Sequence, residues 1–564
     1  MIFFKKFKIT GQILFVTVLI FFSTLQARNL EKFERAGNIA DYFSGVILLN
    51  ESKYKDSYKY LKKLDGLEQS HLAYSSKYLL SLVNSGNLVQ AVNFSKKLEK
   101  ENKSSFESNL ILGIFYLKNY KNETAKKYFS KAQKINLKTI LDNYLVSSLY
   151  ILTEINDGLD TTSINSIQLD SRFKNLNKIQ NVFLNCFISS NKTETLFREL
   201  TSDQDVDFSR YNYFYAKYLF DKGNESKAKM IVNNSLKKYP RNLILNQFKK
   251  DLQNSKNNFN FNCKKKEHIA AELLYISANA LSSQSIYSSS NFYLNLSKYL
   301  NQDFHSFDTL LAENFFKNED FESAKVIYKK LANHGSAFKW FSDKQIARIL
   351  ILEEKKTDAL SLLNTSYNNL KFKEVYETFD FAEFLKNNQE FKTSIKYYTE
   401  TLNKINSNHP LYPEVLDGRG VAYENIDEWD MAEKDLLESL KVNPDQAYVI
   451  NYLAYSWIEQ GIKIEKSLKM LEKANNLKSN DPYIIDSLGW ALFKLKRYNE
   501  SKDYLQLAVK LMPADPIVND HYGDVLWKNG KELQARYYWN YVLNLDKTDE
   551  DLKKNIEKKL IKGL

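Results

Sequence analysis

Between residues 413 and 546 large apolar residues return three or four positions apart around small ones, with charged residues filling the gaps. That spacing predicts short amphipathic helices joined by tight turns. The stretch DPYIIDSLGWALFKLKRYNES, residues 481 to 501, shows one unit: Leu488, Gly489 and Leu492 on a first helix, a polar turn, then Ser501 on a second. Its features recur. Leu488-Gly489, Leu492, Ser501, Leu505 and Ala508 line up at an offset of 34 with Tyr522-Gly523, Leu526, Ala535, Trp539 and Val542. Upstream, Leu453-Ala454, Trp457, Ser467, Leu471 and Ala474 repeat the pattern with one residue inserted near Gly461. Gly420, Tyr423, Ala432, Leu436, Ser439 and Pro444 repeat it again without insertion.

Two small-residue slots, twelve apart, persist through the rest of the chain. They are Gly45 with Ser57, Gly113 with Ala125, Ala216 with Ala228, Ala278 with Ser290, Ala312 with Ala324, Ala347 with Ala359, and Ala382 with Ser394. Small side chains at these places let two antiparallel helices approach closely while large neighbours close the sides. The helix–turn–helix spacing resembles the tetratricopeptide repeat, whose consensus runs W-x2-L-G-x2-Y and then A, F, A and P. The resemblance covers residues 38 to 546 and implies an all-α superhelical solenoid, with room for about fourteen helix pairs.

Breaks in the period divide that solenoid. QNSKNNFNFNCKKKEH, residues 253–268, is rich in Asn and Lys and does not fit the repeat; it is expected to separate an array at 38–252, degenerate over 140–205, from one at 269–546. NSNHPLYP, residues 406–413, is a lesser insertion whose prolines delay the next helix. The tail 547–564 places Leu552, Ile556 and Leu560 on one stripe, as expected of a capping helix.

Composition agrees with helices: 16 glycines and 7 prolines in 564 residues leave little material for a turn-rich β fold. The N-terminus reads as an address. Lys5, Lys6 and Lys8 precede an apolar run from Ile13 to Phe22 and a polar exit ending at Ala27, the layout of a secretory signal peptide over 1–27. Leu25-Gln26-Ala27 is an imperfect cleavage site, so an uncleaved N-terminal anchor is the alternative, and with it peripheral association with the membrane. Export to the periplasm or the periplasmic face of the envelope is the expectation. No cysteine lies near this boundary to carry a lipid. Cys186 and Cys263 form no metal or CxxC spacing and are read as two unrelated thiols, a disulfide between them being the other option.

The net charge of +12 does not point to nucleic acid, because the lysines are interleaved with glutamates at helical spacing as on solvated faces. No GxGxxG, GxxxxGK[ST] or HExxH occurs, and the six histidines are dispersed. A catalytic role, a metal and a cofactor are therefore not expected, an enzyme with an unrecognised site being the remote alternative.

Binding is what the pattern offers. The first helix of each repeat lines the concave surface of such a stack, and residues at i, i+3, i+7 and i+10 share that face. In the last three repeats this lane reads Tyr448, Asn451, Tyr455, Ile458; Tyr483, Asp486, Trp490, Phe493; and Ile517, Asp520, Asp524, Trp527. Aromatic walls with carboxylates and an amide between them suit an extended peptide. Packing of the inter-repeat core is the competing role for the same residues.

The texts NYLAYSWIEQG, DPYIIDSLGWALFKLKRYNESKDYLQLAVKL and DPIVNDHYGDVLWKNGKELQARYYW are similar to those of long exported tetratricopeptide proteins of proteobacteria. Some members of that group are outer-membrane lipoproteins that act as adaptors, capturing a periplasmic carboxy-terminal processing protease and presenting cell-wall hydrolases to it. The resemblance implies a non-catalytic envelope adaptor. A structural or assembly factor for envelope polysaccharide or outer-membrane proteins is the alternative.

Overall fold

A computed structural model describes residues 36–135, 139–155, 171–203, 205–254 and 260–564. The expected signal peptide, 1–27, lies outside the described residues. Apart from three short 3-10 turns, the regular structure of the described residues is α-helix throughout, in two compact units, 1–370 and 371–564.

The first unit opens with four helix pairs or part-pairs: α1 (Ala36–Asn50), α2 (Tyr54–Lys62), α3 (Leu72–Asn84), α4 (Leu88–Lys100), α5 (Phe106–Lys118), α6 (Asn122–Lys134) and α7 (Ile140–Glu154). It continues with α8 (Lys174–Phe187), α9 (Thr193–Ser202), α10 (Tyr211–Asp221), α11 (Glu225–Lys238) and α12 (Leu243–Gln253). It closes with α13 (Lys266–Ser283), α14 (Tyr287–Leu300), α15 (Ser306–Lys317), α16 (Phe321–Leu331), α17 (Ser336–Leu352) and α18 (Lys356–Asn368). The second unit holds five pairs and a final helix. These are α19 (Val375–Asn387), α20 (Phe391–Leu402), α21 (Tyr412–Glu424), α22 (Trp429–Val442), α23 (Ala447–Glu459), α24 (Ile464–Leu477), α25 (Pro482–Lys494), α26 (Tyr498–Leu511), α27 (Pro516–Lys528), α28 (Glu532–Leu543) and α29 (Glu550–Lys562).

The small-residue slots carry the pairing. A Cβ placed on Gly489 would stand 2.7 Å from Leu505 Cγ, sixteen residues on; Gly45 meets Leu61, Gly113 meets Phe129 and Gly523 meets Trp539 at the same separation. At three of the serine slots the hydroxyl donates to the carbonyl of the first slot: Ser57 to Gly45 and Ser501 to Gly489, each at 2.7 Å, and Ser290 to Ala278 at 2.8 Å. At those three positions the hydroxyl is satisfied inside the contact, so serine can stand where alanine does elsewhere.

The turn between the helices of a pair also keeps the period. First helices end on a residue in the left-handed region, and successive ones stand 34 apart: Gly86 and Tyr120, Ser189 and Gly223, Ser285 and Glu319. The amide of the following residue bonds back to the last turn, as Arg497 does to the Leu492 carbonyl at 2.9 Å, closing a Schellman-type cap. The residue inserted near Gly461 is absorbed by a second left-handed position, Lys463. Helix starts are marked as clearly: Asp481 and Asp515 accept from the amides two and three residues ahead, with Pro482 and Pro516 at the first helical position.

Two features of the first unit depart from the sequence reading. Cys186 and Cys263 are disulfide-bonded, with Cα atoms 5.9 Å apart. Spacing along the chain could not show this, because the two are 77 residues apart and meet only after α8 and the segment before α13 pack together. That segment is the described part of 253–268, and it lies within the first unit, whereas the two compact units divide at Leu370–Lys371. Phe261 is buried against Phe183, Phe214 and Phe304, with ring centroids 4.5–6.1 Å away, and the Asn301 amide donates to the Asn260 carbonyl. The irregular stretch is thus fastened to the repeats on both sides.

Beyond it, α14 packs against α1, α3 and α5, and α13 against α5 and α7. Asn84 donates to the Ser288 carbonyl at 2.9 Å, Asn291 to the Tyr54 hydroxyl at 2.7 Å, and Tyr293 to Asp142 at 2.5 Å. The first helices of the N-terminal pairs are therefore covered by the chain's own α13–α14 pair.

Candidate partner-binding groove

In the second unit the first helices are α19, α21, α23, α25 and α27, with α29 in phase behind them. The residues of the lane divide into two groups. Tyr448 and Tyr483 stand out at 53% and 58% exposure, and Ile517 is also exposed. The Tyr448 hydroxyl donates to Asp481 at 2.9 Å, and the Lys478 ammonium lies 4.0 Å from its ring centroid.

The second group is brought together around His521, one of the six histidines that the sequence reading set aside as dispersed. Its Nδ1 is 3.0 Å from Asp486, and its ring stacks on Trp490 with centroids 3.9 Å apart. Trp490 is 7% exposed; Phe493 stacks on it at 4.7 Å, and the indole N–H donates to Glu459 at 2.5 Å. Tyr455 stands 6.4 Å from the imidazole. Asp520 and Asp524 both hold the Lys559 ammonium of α29 at 2.7–2.9 Å, and Asp524 also accepts from the Trp539 indole. Trp527 packs on Trp539, and a Cβ on Gly563 would strike its ring, so the chain's C-terminal residues cover it. Ile458 is in the core.

Four of the expected contact residues, Asp486, Trp490, Asp520 and Asp524, are thus buried and already partnered inside the unit. Burial without a partner would be costly; Asp486 is met by the His521 imidazole of α27, and Asp520 and Asp524 by the Lys559 ammonium of α29. The electrostatics follow. Burial works against a charged His521, but Asp486, Asp520 and Asp524 prevail and raise its pKa above the ordinary imidazole value. Asp524 is lifted to about 6 by burial and by Asp520, with Lys559 opposing.

The lane extends one repeat further than the sequence reading carried it. The same offset of 34 places Glu414, Asp417, Val421 and Glu424 on α21. Asp417 and Asn451 hold equivalent positions of α21 and α23, and the Ser439 hydroxyl of α22 hydrogen-bonds the Asp417 carboxyl. Burial pushes the Asp417 carboxyl up to about 7, with the Ser439 hydroxyl and Lys386 opposing and Glu414 and Glu383 adding to the rise. The period was sufficient to find Glu414 and Asp417; His521, Glu459 and Lys559 stand off the lane's own register and carry no such signal.

Away from the lane, a cleft of about 960 Å3 beside the connection at 403–411 is lined by Leu402, Ile405, Tyr412, Leu416 and Leu437 among others. Among its charged residues Arg419 pairs with Asp435 through two bonds at 2.7 and 2.9 Å, Glu433 with Lys463, and Lys441 with Glu438. Among the described residues no three His, Cys, Asp or Glu are grouped as metal ligands, and no helix is long and apolar enough to cross a membrane.

The helix pairs, their small-residue slots and their period define a helical-repeat solenoid. Residues 300–548 match the family model described as Tetratricopeptide repeat. Among curated proteins, 150 residues are 28% identical to "TPR repeat-containing protein PA4667" of Pseudomonas aeruginosa; the match spans 25% of this chain and 23% of that relative. Solved structures similar to part of the chain include MamA of Desulfovibrio magneticus RS-1, at 16% identity and a TM-score of 0.27 over 31% of this chain and 97% of that one. A thermophilic tetratricopeptide protein of Thermus thermophilus, TTC0263, aligns at 14% identity and a TM-score of 0.29 over 33% of this chain and all of that one. Repeats of this family suggest a protein–protein interaction scaffold.

Proposed function

We propose that the chain is a non-catalytic adaptor of the bacterial cell envelope, which holds a client protein, such as a cell-wall hydrolase, beside a periplasmic carboxy-terminal processing protease. The observation that carries the binding role is the first-helix lane of the second unit, where Tyr448, Tyr483 and Ile517 stand exposed on successive first helices. Aromatic rings interleaved with acceptors on a concave helix face grip side chains and backbone of a bound segment. Two observations support the envelope: the charged and apolar layout of residues 1–27, and a disulfide, a bond that persists in oxidising compartments. A solenoid works here by holding two proteins at high local concentration.

The test is crosslinking of the tagged full-length chain in intact cells, followed by identification of what co-purifies. A periplasmic protease and its substrates should be recovered, and the Tyr448→Ala/Tyr483→Ala variant should lose at least one of them while keeping its helical circular dichroism. Recovery of polysaccharide or outer-membrane assembly proteins without a protease would favour the assembly role. Recovery of cytoplasmic proteins alone would overturn the location.

A further inference from the structure

Each first helix of the solenoid has a face turned away from its own partner. A residue two positions before or after the small-residue slot lies about 200° from it round the helix, so it looks toward the preceding repeat. At these positions Ile111, Phe214, Asn314, Ile349, Ala491 and Val525 are buried. The second helix of the preceding repeat packs against each of their helices: α4 on α5, α9 on α10, α14 on α15, α16 on α17, α24 on α25 and α26 on α27. The same face of α1 is open to solvent. Its slot is Gly45, and the residues two before and two after it are Phe43 and Ile47, 59% and 54% exposed, with Ile39 at 52% one turn earlier. By its other sides α1 packs on α2, α3 and α14.

We infer that this face joins two copies of the chain, their α1 helices antiparallel across a two-fold axis, so that Phe43 meets Phe43 of the second copy and Ile39 meets its Ile47. Continuity, charge and symmetry select the occupant. What covers this face in the later repeats is a helix packed along it, and α1 keeps the apolar residues such a contact needs. The stripe itself carries no ionisable side chain. Asp41, the one charged residue of α1, is turned aside to Lys63 at 3.1 Å, and the neighbour between Ile39 and Phe43 on the exposed side is Ala40. At a net charge of +12 two copies repel over most of their surface, and an interface between them needs a neutral patch. An acidic or basic partner would find no counter-charge on the stripe. A two-fold contact must also be self-complementary. Ile39, Phe43 and Ile47 stand four residues apart and read the same from either end, so an antiparallel copy presents the identical stripe.

Three large side chains from each copy make a small contact, so the dimer should dissociate in the range of about 1–100 μM. Sedimentation velocity of the full-length protein across that range should show a monomer giving way to a dimer. Phe43→Asp sets two carboxylates against each other and should weaken association by at least roughly tenfold. Because the side chain is exposed, helical circular dichroism should not change, and Phe43→Leu, which keeps an apolar centre, should weaken association far less. Orientation is read by crosslinking. The chain's two cysteines are bonded to each other, so a cysteine placed on α1 reports alone. A short bis-maleimide should join Phe43→Cys to its own kind, and should join Ile39→Cys only when that variant is mixed with Ile47→Cys.

A monomer throughout the concentration range, or Phe43→Asp associating like the parent, would overturn the inference. So would a Phe43→Cys thiol that maleimide cannot reach in the monomer, since the face would then be covered within its own chain. Crosslinking of Ile39→Cys with itself in preference to Phe43→Cys would overturn the antiparallel pairing.

Discussion

At the scale of single residues, Lys559 decides whether the end of the second unit is stable. It is the cation for two buried carboxylates, one of which, Asp524, is 3% exposed and also accepts from Trp539. Removing one member of a buried ionic group strands the rest in a poor solvent, at roughly 3 kcal/mol. Lys559→Met should therefore lower the stability of the second unit by about that amount in urea denaturation followed by tryptophan fluorescence. Adding Asp524→Asn should return part of the loss, because only one stranded charge is left and the amide oxygen still accepts from the indole. A Lys559→Met protein as stable as the parent would mean that the ammonium does not hold α29. Nothing in the periodicity of the sequence pointed to this residue. The tail was legible as a helix with Leu552, Ile556 and Leu560 on one stripe, but Lys559 lies beside that stripe and finds its partners 35 and 39 residues back.

At the scale of elements, what the period could and could not show follows from physics. Helix pairing depends on steric slots that must recur at each copy, so Gly489, Gly523 and their equivalents are readable in one sequence. Groove chemistry depends on cross-helix pairs such as Asp486 with His521, which occur once and leave no repeat. Those pairs make the groove helices respond to acid in an unusual direction. His521, Asp524 and Asp417 all have pKa values raised in the folded state, the last two to about 6 and about 7 against 3.8 for an ordinary aspartate. A group that holds its proton more tightly when folded stabilises the fold below its unfolded pKa, and that stabilisation is lost as pH rises through the folded value. The stability of α21 to α27 should accordingly increase as pH falls from about 8 to about 5.5, before ordinary carboxylates begin to protonate. Hydrogen exchange of these helices at the two pH values, corrected for intrinsic rates, measures it. Protection that falls on acidification would show that the clustered carboxylates do not govern this unit.

At the scale of the whole molecule, the two units use the same repeat to different ends. In the first, the α13–α14 pair is laid along α1, α3, α5 and α7, and the hydrogen bonds of Asn84, Tyr54 and Asp142 are spent on the chain itself. The period could place those helices but not fold them back, since return contacts join residues as far apart as Tyr54 and Asn291. The Cys186–Cys263 bond stands where the chain makes that return, tying α8 to the segment that enters α13. Closing a loop of 77 residues removes conformational freedom from the unfolded chain worth about 4.5 kcal/mol by the loop-entropy relation. Ring contacts among Phe183, Phe214, Phe261 and Phe304 fasten the same segment independently of the bond, so reduction should loosen this region rather than unfold the molecule. Thiol reduction, or Cys263→Ser, should lower hydrogen-exchange protection in α8, α10 and α13 and leave α23, α25 and α27 unchanged. A uniform loss of protection across both units, or none in α8 and α13, would show that the bond does not secure the return of the chain onto its first helices.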